Sequence, residues 1–262
     1  MQRESPSFRD IVEAYTEEIV FWSRQIMEHM LFIFDGIDEK VLSTLPPIKY
    51  EDTFMGPLLD FGGKKHTLKS AALHFMKQWG SVFESSRKGN LDLFTVHKLA
   101  DQTLMYKYIV REYLSGIYLG PGVSFSLLSH MIEELQHFIF KINVKFDRSG
   151  QVVEYIPADE TRDLLFWATE RATETMEVGQ LLDVTENKLI ETARSTAKNL
   201  LKTKSAEKVL GELFNLDDFY QEINQRIENK TLRAKIPQIL AEHILREQER
   251  AKDVIGPMVE YI

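Results

Sequence analysis

The chain has 262 residues, of which 44% are hydrophobic and 27% are charged, a balance typical of a protein with a buried core and not of a disordered chain. It contains no cysteine, which excludes disulfides, thiol nucleophiles, iron–sulfur clusters and Cys-ligated zinc. The formal net charge of -8 disfavours binding to nucleic acid or to an anionic membrane. Any metal would therefore be bound by His and carboxylate side chains.

The N-terminus and the hydropathy pattern predict a cytoplasmic protein. Met1–Asp10 is polar and charged, unlike a secretory signal. No apolar run is long enough to cross a bilayer. We therefore expect neither a membrane nor nucleic acid as a partner, and the sequence leaves a homo-oligomer open.

The first half of the chain has helical periodicity. Apolar positions three and four apart run from Tyr15 to Ile33, which predicts one buried face of a helix that ends at Gly36. Residues 37–65 are rich in proline and glycine and predict an irregular insertion, of the kind that often acts as a lid or a packed loop. Three more helices are predicted at about 66–86, 91–115 and 124–144.

The second half predicts four more helices after a break. A turn signal at Asp147–Gly150 and the short, β-leaning Gln151–Ile156 are interpreted as a linker. The helices follow at about 159–182, 185–202, 205–229 and 232–259, and Asp159, Thr185 and Ser205 are the predicted N-caps of the first three. The predicted fold is all-α: two tandem four-helix up-and-down bundles, residues 1–146 and 159–262, joined by a linker at 147–158.

Matching motifs indicate that the two bundles arose by internal duplication. The first helix of each half carries a Phe-Trp pair, and the last helix of each carries His-x-x-x-Glu. Ligand-capable residues then coincide in four pairs: Glu18 with Asp163, His29 with Glu174, His130 with His243, and Glu134 with Glu247. Glu170, which aligns with Gln25, is a further candidate ligand.

The spacing of these residues suits metal binding. His-x-x-x-Glu places an imidazole and a carboxylate on one helical face, where both interrupt an apolar stripe. A buried carboxylate is costly without a partner, and a cation would supply one. In an up-and-down bundle, the end of the first helix lies beside the start of the fourth. We therefore expect His29 near His130 and Glu134.

By the same argument Glu174 should lie near His243 and Glu247 in the second bundle. Glu18 is about 16 Å from His29 along the helix, so the two cannot hold one ion. If the first helices of the two halves packed antiparallel, Asp163 and Glu18 would complete the two sites. A competing pair, His97 and Asp101, has no counterpart in the second half.

Three segments resemble the Bacillus cereus metalloprotein-like family, whose function is unknown: Glu18–Trp22 with His29, Ser129–Glu134, and Ile236–Glu247. The resemblance implies a duplicated, ferritin-like four-helix bundle with bound metal. It also implies ligand roles for six residues: Glu18, His29, His130, Glu134, His243 and Glu247. The chain departs from the family pattern at Asp163 and Glu174, where His is expected, and these carboxylates favour iron or manganese over zinc.

Three functions fit the sequence. The first is a metalloenzyme or redox protein that uses iron or manganese, with zinc as the alternative ion, for oxygen chemistry. The second is a non-catalytic protein with structural or stored metal. The third is a metal-free helical scaffold in which the His and Glu side chains pair with Lys or Arg. Whether the protein is an enzyme is left open.

Overall fold

The computed structural model describes residues 8–38, 40, 60–61, 64–65, 67–114, 125–146, 152–155 and 159–259. These residues form eight helices: α1 (Phe8–Gly36), α2 (Leu68–Arg87), α3 (Leu93–Leu114), α4 (Phe125–Lys141), α5 (Glu160–Leu181), α6 (Asn187–Lys202), α7 (Ala206–Glu228) and α8 (Gln238–Val259). Four short strands pair as two antiparallel hairpins, β1 (Asp60–Phe61) with β2 (Lys64–Lys65) and β3 (Val144–Phe146) with β4 (Val152–Tyr155). The predicted all-α class is confirmed.

The chain divides into two compact units, Met1–Pro157 with α1–α4 and Ala158–Ile262 with α5–α8. We call them unit 1 and unit 2. The predicted bundle boundaries and the duplication that relates the bundles stay predictions. Among the described residues, no helix combines the length and the apolar character that a membrane span needs.

The four helices of unit 1 pack as a closed ring, in which α1 and α3 each contact α2 and α4. Tyr15, in the first half of α1, donates to the carbonyl of Asn143 just beyond α4 at 3.4 Å. His29, near the end of α1, lies beside Glu134 within α4. The two helices therefore run antiparallel, and the buried indole of Trp22 packs on Phe138 between these contacts.

Unit 2 has the same order of helix contacts, with α5 and α7 each packed on α6 and α8. Gln248 of α8 donates to the carbonyl of Leu213 in α7 at 2.5 Å. Thr175 of α5 and Tyr220 of α7 share a hydrogen bond of 2.6 Å between their buried hydroxyls. These polar contacts tie α5 and α8 to α7 inside the unit.

Two of the three predicted N-caps are confirmed, and one is wrong. Asp159 accepts from the Thr161 amide at 2.9 Å, and Ser205 accepts from the Lys208 amide at 3.4 Å. Helix α6 instead begins at Asn187. The Thr185 hydroxyl donates to the Asp183 carboxylate at 2.7 Å, so it belongs to a turn before the helix.

Two further boundaries differ from prediction. The last helix begins at Gln238 and not near Leu232, because Pro237 restrains the residue before it to extended backbone. In the segment before Pro237, the backbone amide of Lys235 donates to the Leu181 carbonyl at 2.9 Å. The segment interpreted as linker contains β4, which pairs with β3. The β-leaning sequence of β4 pairs with β3, the strand that directly follows the end of α4.

Most of the irregular insertion predicted at 37–65 lies outside the described residues. Within it, the structure describes 37–38, residue 40 and the β1–β2 hairpin. Its role as a lid stays a prediction. The turn predicted at 147–150 also lies outside the described residues.

Candidate metal centre

In unit 1, α1 and α4 bring three predicted ligands together. The Nε2 atom of His29 is 3.0 Å from Oε2 of Glu134, and Nε2 of His130 is 3.4 Å from Oε1. All three side chains are buried. The antiparallel packing of the two helices brings His29 to the Glu134 carboxylate, while helical spacing brings His130 to it. Both oxygens of one carboxylate therefore face imidazole nitrogens.

A fourth residue of this group, Lys107 of α3, was not predicted. Its side chain is completely buried. Its Nζ donates to the carbonyl of Met131 at 2.5 Å and lies 3.2 Å from Nδ1 of His29. Because an ammonium group can only donate, a neutral His29 accepts through Nδ1 and carries its hydrogen on Nε2, which then donates to Glu134.

In unit 2, the centre of the corresponding group is Arg171 of α5, whose side chain is completely buried. Its Nη2 is 2.6 Å from Oε2 of Glu247 and 3.4 Å from Oε1 of Glu170, and it also contacts Oε2 of Glu174. Its Nη1 donates to the carbonyl of Ile244 at 3.4 Å. One guanidinium thus contacts three carboxylates.

The histidine of unit 2 joins this group through Glu247. Nε2 of His243 lies 3.2 Å from Oε1 of Glu247, while Oε2 of the same carboxylate contacts Arg171. The two oxygens of Glu247 therefore have different neighbours, a guanidinium on one side and an imidazole on the other. Of the three side chains expected together, Glu174 and Glu247 contact the same nitrogen of Arg171, and His243 contacts Glu247; their roles as metal ligands stay predictions.

Burial and charge act in opposite directions on Arg171. Removal from water by itself lowers the pKa of a guanidinium, but the negative charges of Glu174, Glu247 and Glu170 raise the pKa of Arg171 above its ordinary value. Arg171 therefore stays charged. Burial also raises the pKa of the Tyr220 hydroxyl, which the nearby charge of Arg171 opposes.

Two predicted ligands lie elsewhere in their helices. Glu18 accepts a hydrogen bond from Nε1 of Trp22 at 3.1 Å and forms an ion pair with Lys141 at 3.4 Å. Its carboxylate is thus part of a separate contact between α1 and α4. Asp163 is buried on α5, two helical turns, or about 10 Å, before Glu170.

The competing His97–Asp101 pair does not resemble a metal site. Nε2 of His97 lies 2.5 Å from the carbonyl of Ile142, and Asp101 is exposed. Burial lowers the pKa of His97, although the Ile142 carbonyl and Asp101 oppose the change. His97 therefore contacts the backbone at the end of α4.

Buried His and Glu side chains among the described residues could hold a metal ion. In unit 1, donor atoms of His29 and of His130 each lie within 4.8 Å of a Glu134 oxygen, and in unit 2 those of His243 and of Glu170 each lie within 4.8 Å of a Glu247 oxygen. Imidazole nitrogens and carboxylate oxygens are ligands that suit iron, manganese and zinc. The donor chemistry thus fits a divalent transition metal.

Comparison with known proteins gives relatives without assigned functions. No protein-family model matches the chain. The uncharacterized protein L567 of Acanthamoeba polyphaga mimivirus is 28% identical to it, in an alignment that covers 88% of this chain and 77% of that protein. The crystal structure of an uncharacterized protein from Bacillus cereus G9241 has a TM-score of 0.68 at 16% identity, covering 94% of this chain and 90% of that one. The Bacillus cereus protein shows that the fold is shared.

The residues that the sequence analysis missed are the two buried cations, although each left a signal. Lys107 lies in the buried stripe of α3, which also contains Val96, Ala100, Thr103 and Val110. Arg171 likewise lies on the buried face of α5, four residues after the buried Trp167. A Lys or Arg on the apolar face of a helix needs buried acceptors. That rule would have found both residues.

Proposed function

We propose that this protein binds a divalent transition metal through buried imidazole and carboxylate side chains. The proposed ligands are His29, His130 and Glu134 in unit 1, and Glu170, His243 and Glu247 in unit 2. The donor set favours iron or manganese, with zinc as the alternative. The proposal includes membership of the Bacillus cereus metalloprotein-like family, which the shared fold of the Bacillus cereus protein supports.

The observation that carries the proposal is the arrangement at Glu134, where both carboxylate oxygens face imidazole nitrogens of buried histidines. A group of this kind suits a cation that takes nitrogen and oxygen ligands together. His29 and His130 come from different helices, so the arrangement depends on the tertiary fold and not on helical spacing alone. The buried side chains of Phe138 and Trp22 pack on each other between α1 and α4.

We propose that a bound iron or manganese ion would supply redox or oxygen chemistry. The protein groups would bind it, orient it and exclude bulk water. Binding at the Nε2 atom of His29 requires the hydrogen on that atom to move to Nδ1, and His29 can then no longer accept a hydrogen bond from Lys107. Glu18 is a weaker candidate as a ligand, because its carboxylate pairs with Lys141 in a separate contact between α1 and α4.

The second candidate function is a metal-free helical scaffold. The observation that favours it is that Lys107 contacts His29 and Arg171 contacts Glu247. These are the Lys and Arg partners with which the buried His and Glu side chains would pair in a metal-free protein. The two candidates differ in whether the same groups also take up a divalent ion.

Elemental analysis separates the two candidates. The protein is purified without chelator or affinity metal, and the metal content of the parent is compared with that of His130→Ala and His243→Ala. His74→Ala is the matched control, because His74 packs on Phe75 and is only half-buried. Near-stoichiometric iron or manganese in the parent and the control, with the metal of one unit lost in each single variant, supports metal binding.

The opposite result is a parent that contains no metal and takes none up when incubated with Fe(II), Mn(II) or Zn(II) under reducing, anaerobic conditions. That result contradicts the proposed function and leaves the scaffold. A metal content that stays equal to that of the parent in both His→Ala variants would contradict the assigned ligands.

A further inference from the structure

Lys107 and Arg171 share one structural feature that the repeated motifs do not reveal. Each donates to the backbone carbonyl of the residue that follows the His of a His-x-x-x-Glu motif. Lys107 donates to Met131 at 2.5 Å, and Arg171 donates to Ile244 at 3.4 Å. Among the described residues, Lys107 and Arg171 are the only buried lysine and the only buried arginine.

The two side chains reach equivalent carbonyls from different helices. Lys107 belongs to α3, the third helix of unit 1, whereas Arg171 belongs to α5, the first helix of unit 2. Helical spacing cannot produce this agreement, because the two cations are not at matching places in their units. Both units therefore place a positive charge at the same point beside the His-x-x-x-Glu helix.

Each cation also contacts a proposed metal ligand. Nζ of Lys107 is 3.2 Å from Nδ1 of His29, and Nη2 of Arg171 is 2.6 Å from Oε2 of Glu247. A positive charge this close to a ligand orders that ligand while no metal is bound, and it repels a divalent ion that approaches the same group. Both effects act in a buried environment, where salt screens them little.

We propose that Lys107 and Arg171 are internal cations, one in each unit, with which a bound metal ion competes for the buried His and Glu side chains. They are positioning residues and not metal ligands. Each keeps its site ordered in the metal-free protein and weakens the affinity of that site for a divalent cation. This inference rests on the proposed function for its effect in the native protein.

The test uses variants of the full chain that separate charge from hydrogen bonding. Lys107→Gln and Arg171→Gln remove the positive charge but keep an N–H donor for the Met131 or Ile244 carbonyl. Lys107→Arg and Arg171→Lys keep the charge. Calorimetric titration with Mn(II), and separately with Zn(II), gives the affinity and stoichiometry of each protein. Far-ultraviolet circular dichroism of the metal-free proteins checks that each variant is folded.

If the inference is correct, each Gln variant binds Mn(II) at least tenfold more tightly than the parent, while the charge-retaining variants stay within about threefold of the parent. A role in packing alone would not strengthen binding. Parent protein that binds metal, with Gln variants that bind equally or more weakly, overturns the inference and leaves the proposed function intact.

Two further results separate the inference from the proposed function. A parent that binds no metal, with Gln variants that do bind it, contradicts the proposed function and supports the inference, since the internal cations would then exclude metal. Absence of binding in the parent and in all folded variants contradicts both. If a Gln variant does not fold, Lys107→Met or Arg171→Met takes its place in the same titration.

Discussion

The carboxylate of Glu247 lies 2.6 Å from the guanidinium of Arg171, and both side chains are completely buried. The same guanidinium contacts Glu170 and Glu174. An arginine that holds three carboxylates away from water is costly to remove, because its loss leaves like charges close together in a medium of low polarity. The stability of unit 2 in the metal-free protein should therefore depend on this residue.

We expect Arg171→Met to lower the free energy of unfolding by about 3–5 kcal/mol, the range for removal of one partner from a buried ion pair. Urea denaturation in the presence of EDTA measures the change. The matched control is Arg194→Met, since Arg194 pairs with Glu191 on the surface of α6 with 70% of its side chain exposed. The control should change the unfolding free energy by less than about 0.5 kcal/mol. A loss below about 1 kcal/mol for Arg171→Met would contradict this interpretation.

Metal binding should stabilise the protein through His130. We expect a saturating concentration of Mn(II), about a hundredfold above the dissociation constant, to raise the unfolding free energy by about 2.7 kcal/mol for each occupied site. His130→Ala should lose the increment of the unit 1 site, whereas His74→Ala should keep it. Thermal unfolding followed by circular dichroism, with and without Mn(II), gives the comparison. An equal increment in His130→Ala would show that the ion binds elsewhere.

His97 should make stability depend on pH. Burial lowers its pKa in the folded protein, so the unfolded chain binds a proton at a higher pH than the folded chain does. Stability is then fully present above the unfolded value of 6.5 and declines as the pH falls through 6.5 toward the lower folded pKa. His97→Gln, which keeps a donor for the Ile142 carbonyl, should flatten this decline between about pH 7.5 and pH 5. Urea denaturation at several pH values tests the difference, and an unchanged pH dependence would exclude His97 as the cause.

Two glycines should respond in opposite directions to replacement by alanine. Gly211 is in the interior of α7, and an added Cβ would meet nothing within 4 Å, so Gly211→Ala should stabilise the protein by about 0.5–1 kcal/mol. Gly89, just after α2, has φ +75°, a conformation that an alanine adopts at a cost of about 1 kcal/mol. Urea denaturation of both variants checks the signs. A stabilising Gly89→Ala would contradict the helix-end conformation.

The sequence predicts the helices well because their signals are local. Apolar spacing and caps such as Asp159 and Ser205 depend on residues within one or two turns. The approach of His29 to Glu134 was also expected, since it requires only that neighbouring helices run antiparallel. The pattern predicts too early a start for α8, because it continues across Pro237, where the backbone is not yet helical.

The internal cations were missed for a different reason. An internal repeat reveals residues at matching places in the two halves, and Lys107 and Arg171 do not occupy matching places. Tertiary packing alone decides that two side chains from unlike helices reach equivalent carbonyls, those of Met131 and Ile244. Their signal in the sequence is instead a charged residue inside an apolar stripe, which needs no repeat to be recognised.

The most direct test of metal binding is X-ray diffraction from crystals soaked in Mn(II), with data collected at wavelengths above and below the manganese absorption edge. The proposed function predicts an anomalous difference peak in contact with an imidazole nitrogen of His29, His130 or His243. It also predicts that this peak is absent from crystals of the His130→Ala, His243→Ala double variant. Peaks found only on exposed carboxylates, or no peak at any of these histidines in crystals saturated with Mn(II), would contradict the proposal and favour the metal-free scaffold.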